Sequence, residues 1–158
     1  MNIAVYPGSF DPITNGHLEI IHRSLSVFDK VIVAVLDNKD KDALFSMEYR
    51  TELISGAVNH SSKLEVDSFS GLLVDYLTKA NANIIIRGLR VVSDFEFEFN
   101  MAQMNRSLDK SIDTIFMVPD SKNTFISSSL VREVASLGGD VSNFVPFNVN
   151  KALMERYE

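Results

Sequence analysis

The 158-residue sequence contains no cysteine, which excludes disulfide bonds, thiolate catalysis and cysteine metal sites. It also has no apolar run of about 18 residues, so the sequence predicts no membrane-spanning helix. The first residues show no basic region followed by an apolar stretch, and we therefore expect a cytoplasmic protein. Positive charge is scarce as well, because 15 lysines and arginines face 21 acidic residues and leave a net charge of −6. We therefore expect no nucleic-acid partner, and an anionic substrate would need a few well-placed cations.

The sequence does have enough apolar residues, 46% of the chain, to build a sizeable core. It has no evident linker or repeat, which predicts a single domain over residues 1–158. Short apolar stretches alternate with segments of helical spacing, and this order is typical of a parallel sheet. The sequence therefore predicts a doubly wound, Rossmann-like α/β fold with helices on both faces of five strands. The predicted strands cover residues 3–6, 31–36, 64–67 (at a sheet edge), 84–86 and 114–118.

The segment 93–108 alternates like a strand between Phe95 and Phe99, but the sequence favours a helix. Ser93 to Glu96 matches a capping box, and the pattern continues without a turn signal. The helix would carry two apolar stripes, which need two packing partners. One partner is the sheet; the other is a neighbouring subunit or further core of the same chain.

The stretch 4–25 organises the rest of the chain. An apolar strand is broken at Pro7-Gly8, and a loop then leads into a helix for which Thr14 is a good N-cap. The amides of a first helical turn lack partners within the helix and favour phosphate. His17 lies in that turn and can donate a hydrogen bond to the same anion. Alone, it would be interpreted as a surface histidine; the T-x-G-H string after a strand and loop favours a functional role.

Two further strings point to the same chemistry. Arg87 to Arg90 reads R-G-L-R and follows a buried strand. If the first and fourth strands are neighbours where the strand order reverses, this loop faces the loop that precedes His17. Ser127 to Ser129 opens a later helix, where one serine suffices as the cap and the other hydroxyls and amides can bind an anion. Each string alone is also explained by solvated arginines or by a polar helix start.

Together, P-G-S-F-D-P-I-T-N-G-H, I-I-R-G-L-R and F-I-S-S-S-L-V-R-E-V resemble the bacterial phosphopantetheine adenylyltransferase family. That family belongs to the nucleotidyltransferases with the H/T-x-G-H signature, and the resemblance runs from Ile3 to about Met154. It implies transfer of the adenylyl group of ATP to 4′-phosphopantetheine, which gives dephospho-coenzyme A and pyrophosphate. It also implies Mg²⁺ carried on the ATP phosphates, a homohexamer and feedback inhibition by coenzyme A.

The resemblance also assigns residues. The catalytic pair is His17, which stabilises the transition state, and Lys41, which contacts the substrate and the transferring phosphate. The positions implied for the acceptor are Ser9, Lys41, Leu73 and Arg87. The positions implied for ATP are Ser9, Phe10, His17, Gly88, Leu89, Arg90, Glu98, Asn123, Thr124, Phe125, Ile126, Ser127, Ser128 and Ser129. Relatives often carry aromatic residues in place of Phe97 and Asn123, which puts the Asn123 side-chain contact in doubt, and threonine in place of Ser9.

The sequence shows no Ser-His-Asp arrangement, so we expect no covalent intermediate and interpret the substrate phosphate as the nucleophile. His17, His22 and His60 form no metal cluster. Two alternatives stay open. One is another superfamily member that adenylates nicotinamide mononucleotide or uses CTP; the other is a non-catalytic module that senses a nucleotide.

Overall fold

A computed structural model describes residues 2–37, 42–59 and 61–158. Five parallel strands form one sheet in the order β3-β2-β1-β4-β5, which confirms the predicted α/β fold. The strands are β1 (Ile3–Gly8), β2 (Lys30–Leu36), β3 (Leu64–Phe69), β4 (Ile84–Gly88) and β5 (Asp113–Met117). The helices are α1 (Asn15–Ser24), α2 (Met47–Ala57), α3 (Leu73–Lys79), α4 (Val92–Leu108), α5 (Ser128–Ser136) and α6 (Phe147–Tyr157). A short 3-10 helix, Ser121–Asn123, precedes α5.

The strand order reverses between β1 and β4, so the condition for the two loops to face each other is met. The strand β1 pairs with β2 along its whole length, but its pairing with β4 ends at Val5 and Ile85. The strand β4 continues alongside β5 as far as Gly88. The carboxyl ends of β1 and β4 therefore separate, and a crevice opens where open α/β sheets bind their ligands.

Apolar side chains cover both faces of the sheet, because successive residues of a strand point to opposite sides. On one face, Ala4 and Val33 pack in a core that includes Ile21 of α1 and Ile54 of α2. On the other, the core contains Val5, Ile32 and Ile85 from the strands and Val74 and Leu77 from α3. Burial on both faces explains why the central strands are apolar at nearly every position.

The predicted helix over 93–108 is present, but its predicted start is wrong. The helix α4 begins at Val92 after Val91, and no side chain caps its first turn. Ser93 therefore lies inside the helix, and the proposed capping box does not form. The first stripe, Phe95, Phe99 and Ala102, packs on the sheet only in part, since Phe95 is 47% and Phe99 is 45% exposed. The second stripe, Phe97, Met101, Met104 and Leu108, stays uncovered by the described part of the chain, since Phe97 is 65% and Met104 is 57% exposed. Among the described residues, therefore, no further core of the same chain covers the second stripe, although this was one of the two alternatives.

Candidate active site

The crevice between β1 and β4 holds a cavity of about 260 Å³. The β1–α1 loop, the end of β4, the first turns of α4 and the start of α5 surround it. The structure thus brings together three strings that lie far apart in the sequence. The predicted site residues that line the cavity are Ser9, Phe10, His17, Arg87, Gly88, Arg90, Glu98, Asn123, Ile126, Ser127 and Ser128.

Other predicted residues lie elsewhere. Leu73 lines a second cavity of about 420 Å³, which shares Ser9, Arg87 and Glu98 with the first. The two cavities therefore meet at the Arg87–Glu98 pair. Lys41 lies outside the described residues, and its predicted contacts stay a prediction. The predicted site residues that line neither cavity are Leu89, Thr124, Phe125 and Ser129.

The β1–α1 loop places an aromatic ring beneath the histidine. Phe10 is buried, and its backbone φ of 45° lies in the left-handed region, which is uncommon for a non-glycine residue. Its ring packs edge-on against those of Tyr6 and His17, with centroids 5.3 Å and 5.2 Å away. Gly8 allows this packing, because a Cβ atom there would lie 3.1 Å from the Phe10 ring. The loop therefore fixes the plane of the imidazole.

The cap of helix α1 fixes the tautomer of His17. The backbone N–H of Thr14 donates to Nδ1 of His17 at 3.0 Å, and the Thr14 hydroxyl accepts from the His17 N–H at 3.4 Å. Because Nδ1 accepts a hydrogen bond, the proton of the neutral ring is on Nε2. Burial and, in smaller part, the nearby charges of Arg90 and Arg87 together lower the pKa of His17 to about 4. His17 is therefore a neutral hydrogen-bond donor near pH 7.

The first turn of α1 differs from the open anion site that the sequence predicts. The Asn15 N–H donates to the Phe144 carbonyl at 2.9 Å, and the His17 N–H is used by the cap. Two of the first amides are thus already satisfied within the protein, while the histidine side chain stays at the cavity. At the start of α5, Ser127 is the predicted cap and accepts from the Leu130 N–H at 3.1 Å. Ser128 lines the cavity, but its hydroxyl donates to the Pro12 carbonyl at 2.7 Å, so the predicted contact of a free hydroxyl with an anion stays a prediction.

Arg87 does not present an unpaired guanidinium, although the sequence was interpreted that way. Its Nε and one terminal nitrogen donate to the two carboxylate oxygens of Glu98 at 2.8 Å and 2.6 Å. Its other terminal nitrogen donates to the Pro7 carbonyl at 2.8 Å. Burial alone would lower the pKa of Arg87, but the hydrogen bonds and charge of Glu98 raise it overall. A phosphate that binds Arg87 must therefore compete with Glu98.

Arg90 is held less firmly than Arg87. It contacts the Asp94 carboxylate at 3.3 Å and the Ile126 carbonyl at 3.2 Å. Both arginines thus have a carboxylate partner on α4, so the net charge of the cavity lining is close to neutral. Among the residues of the described ranges, no group of three or more His, Asp or Glu is arranged to hold a metal ion.

Sequence reasoning missed two polar residues that support the cavity, Glu19 and Arg50. Glu19 accepts from the Asn123 side chain at 2.6 Å and from the Asp120 N–H at 2.8 Å, and so ties the segment before α5 to α1. Asn123 is accordingly 8% exposed and engaged within the protein. Arg50, 4% exposed, donates to the Ser9 carbonyl at 2.6 Å. The available signal was an arginine at a position of α2 that the apolar spacing assigns to the core.

Comparison with known proteins is consistent with this geometry. The cytidylyltransferase-like family model matches residues 5–134. The chain is 55% identical over 150 residues to a phosphopantetheine adenylyltransferase of Nautilia profundicola, with 95% of this chain and 97% of that protein covered. It is 53% identical over 157 residues to the enzyme of that name from Geotalea daltonii, with 99% and 98% covered.

A solved structure shares the fold at low sequence identity. It comes from a Vibrio parahaemolyticus protein named as a candidate nicotinate-nucleotide adenylyltransferase, with a TM-score of 0.74 and 18% identity. The similarity covers 100% of this chain and 97% of that one. At this identity the similarity supports the architecture alone.

Proposed function

This chain belongs to the cytidylyltransferase-like family, and we propose that within it the chain is a phosphopantetheine adenylyltransferase. It transfers the adenylyl group of ATP to 4′-phosphopantetheine. A phosphate oxygen of the acceptor attacks the α-phosphorus of ATP, and the bond between that phosphorus and the α,β-bridging oxygen breaks. Pyrophosphate leaves with the bond electrons, and dephospho-coenzyme A remains. The observation that carries the assignment is a neutral, Nε2-protonated His17 at a crevice that two arginines flank.

ATP is assigned to the smaller cavity, between the β1–α1 loop and the start of α5. There the Nε2–H of His17 would donate to the α-phosphate, where negative charge increases during the transfer. The neutral imidazole can do this at neutral pH, because its Nε2–H is a hydrogen-bond donor and the ring need not gain a proton first. The first-turn amides of α5 lack helical partners and would contact the other phosphates. The side chains near these phosphates are Arg90, Ser127 and Ser128.

4′-Phosphopantetheine is assigned to the second cavity. Leu36, Leu73 and Met101 give that cavity an apolar lining that fits the pantetheine arm. The phosphate end would then reach Arg87, which lies where the two cavities meet. This placement brings the two anions to one point and orients them for an in-line displacement. Ser9 and Lys41 are proposed to contact the same phosphate.

We further propose that Mg²⁺ enters with ATP as part of the substrate. Among the residues that the structure describes, Asp94 and Glu98 are the carboxylates that line the cavity, and each already pairs with an arginine. The lining therefore offers few oxygen ligands of its own, which agrees with a cation held by the triphosphate.

The remaining expectations concern assembly and location. The exposed apolar side chains of α4 support a homohexamer, which light scattering would test. Feedback inhibition by coenzyme A and a cytoplasmic location stay proposals. In the part of the chain that the structure describes, no helix is both long and apolar enough to cross a membrane.

The decisive experiment measures pyrophosphate release from MgATP with one acceptor at a time. We expect release with 4′-phosphopantetheine and none above background with nicotinamide or nicotinate mononucleotide. Release with a mononucleotide alone would assign the chain to another branch of the superfamily. Nucleotide binding without release from any acceptor would indicate a sensing module.

A further inference from the structure

A buried carboxylate connects three segments around the cavity. Asp11 lies in the β1–α1 loop and is 3% exposed. Its two oxygens accept from the backbone N–H of Leu44 at 2.7 Å and of Phe45 at 3.1 Å. One terminal nitrogen of Arg132, on α5, donates to the same carboxylate at 2.6 Å and to the Asp11 carbonyl at 3.1 Å. No role in the proposed reaction has been given to either side chain.

The pair joins the two walls between which the nucleotide is assigned. Asp11 follows Ser9 and Phe10 in one wall, and Arg132 lies one helical turn after Ser128 in the other. The Ser128 hydroxyl adds a second tie, since it donates to the Pro12 carbonyl at 2.7 Å. Two contacts on the same side of α5 thus set both the distance and the rotation of the helix relative to the loop.

We propose that Asp11 and Arg132 are positioning residues, whose ion pair holds the first turn of α5 against the β1–α1 loop in the geometry that ATP binding requires. Neither residue lines the cavity, so they act through Phe10 and the first-turn amides of α5, which are assigned to ATP alone. The Asp11 side chain is 5% exposed and that of Arg132 is 30% exposed. Loss of Arg132 would therefore leave a buried carboxylate without its cation, and the helix would shift to relieve it. The inference rests on the proposed function, because it assigns the walls to ATP.

The test compares Arg132→Met with Arg132→Lys. Only one guanidinium nitrogen contacts Asp11, so a lysine ammonium can make the same contact, whereas methionine cannot. We expect Arg132→Met to raise the KM for ATP about tenfold or more, with the KM for 4′-phosphopantetheine within about twofold of wild type. Arg132→Lys should stay within about threefold of wild type for both substrates. Arg156→Met, an exposed arginine on α6, is the matched control and should change neither KM.

A mutant cycle separates positioning from direct contact with the nucleotide. We expect Asp11→Asn to weaken ATP binding about as much as Arg132→Met does. The double variant should bind ATP no more weakly than the more damaging of the two single variants. A harmless Asp11→Asn beside a damaging Arg132→Met would overturn the proposal in favour of direct phosphate contact by Arg132. So would an Arg132→Lys as poor as Arg132→Met, equal rises in both KM values, or unchanged kinetics in Arg132→Met.

Two precautions keep the result interpretable. Asp11→Asn can fail to fold, since Asp11 also accepts from two backbone amides. In that case the KM values and the thermal unfolding of the Arg132 variants test the proposal on their own. Titration calorimetry with a non-hydrolysable ATP analogue measures the same affinity change without any acceptor. Pyrophosphate release by the wild-type protein tests the proposed function separately, so failure of one proposal is not mistaken for failure of the other.

Discussion

The two walls of the crevice are built differently. On the side of the β1–α1 loop and α5, buried polar residues with full sets of partners fix the backbone: Asp11 is 3% exposed, Arg50 is 4% and Asn123 is 8%. On the side of α4, the polar residues are two arginine–carboxylate pairs, Arg87–Glu98 and Arg90–Asp94, which line the cavity; Glu98 is itself 8% exposed, but its partner is an arginine at the cavity and not the backbone. The wall of the β1–α1 loop and α5 is therefore preorganised, and we call it the fixed wall. The wall of α4 must exchange protein carboxylates for ligand phosphates, and we call it the adaptable wall.

This difference gives each wall its own energetic task. A buried hydrogen-bond network resists displacement, because any orphaned group bears its full desolvation penalty. The two arginine–carboxylate pairs line the cavity instead, where a ligand phosphate of higher charge can take the place of the carboxylate. When no ligand is bound, the carboxylates of α4 thus keep the two arginines in place. When a ligand binds, the same carboxylates compete with its phosphates.

The largest expected effect comes from the fixed wall. His17→Ala removes the neutral donor, and kcat should fall on the order of 10²–10³-fold, as for loss of one transition-state donor. The fold should persist, since the side chain is only partly buried and Thr14 keeps its hydroxyl as a cap. Steady-state kinetics and circular dichroism measure the two properties. His22→Ala, an exposed histidine on the same helix, is the control; a near-normal kcat for His17→Ala would refute the role.

Substitutions in the adaptable wall should mainly weaken substrate binding. Arg87→Lys cannot contact both oxygens of Glu98, nor hold a phosphate in two places. We expect the KM for 4′-phosphopantetheine to rise about tenfold to a hundredfold, for a loss of roughly 1.4–2.8 kcal/mol. The KM for ATP should rise much less. Arg106→Lys, in an exposed ion pair at the end of α4, is the control, and an equal rise in both KM values would contradict the assignment of Arg87.

The contrast between the walls also explains what the sequence could predict. The strands, the helices and the edge position of β3 followed from apolar periodicity and turn residues, which are local signals. The crevice followed only on the condition that β1 and β4 are neighbours. The T-x-G-H and R-G-L-R strings indicated which loops meet. The partners of the charged groups did not follow, because Glu98 reaches Arg87 across 11 positions and Arg132 reaches Asp11 across 121. Such contacts depend on three-dimensional packing, so the sequence predicted neither the carboxylate partner of Arg87 nor the contacts of Asp11.

The two walls should also differ in how much their polar residues contribute to the free energy of unfolding. Arg50 donates to the carbonyls of Ser9, Leu36 and Phe45, and methionine fills similar space without any donor. We expect Arg50→Met to lower the free energy of unfolding by about 2–3 kcal/mol, because buried carbonyls lose their partner. Urea denaturation measures the change. Arg90→Met, on the adaptable wall, should cost under about 1 kcal/mol, since it loses only a surface ion pair and one carbonyl contact; equal losses would remove the distinction between the walls.

The smallest expected effect is the pH dependence that His17 adds to folding. Its pKa is about 4 in the folded protein and 6.5 as the ordinary value, so between these values the unfolded chain binds more protons. Stability should therefore fall as the pH drops below 6.5 and be insensitive to this group above it. Between pH 7 and pH 5.5 the loss from His17 amounts to about 1 kcal/mol. The difference in unfolding free energy between wild type and His17→Gln measures it, and an NMR titration of the His17 ring with a midpoint near 6.5 would show that the wall does not exclude the proton.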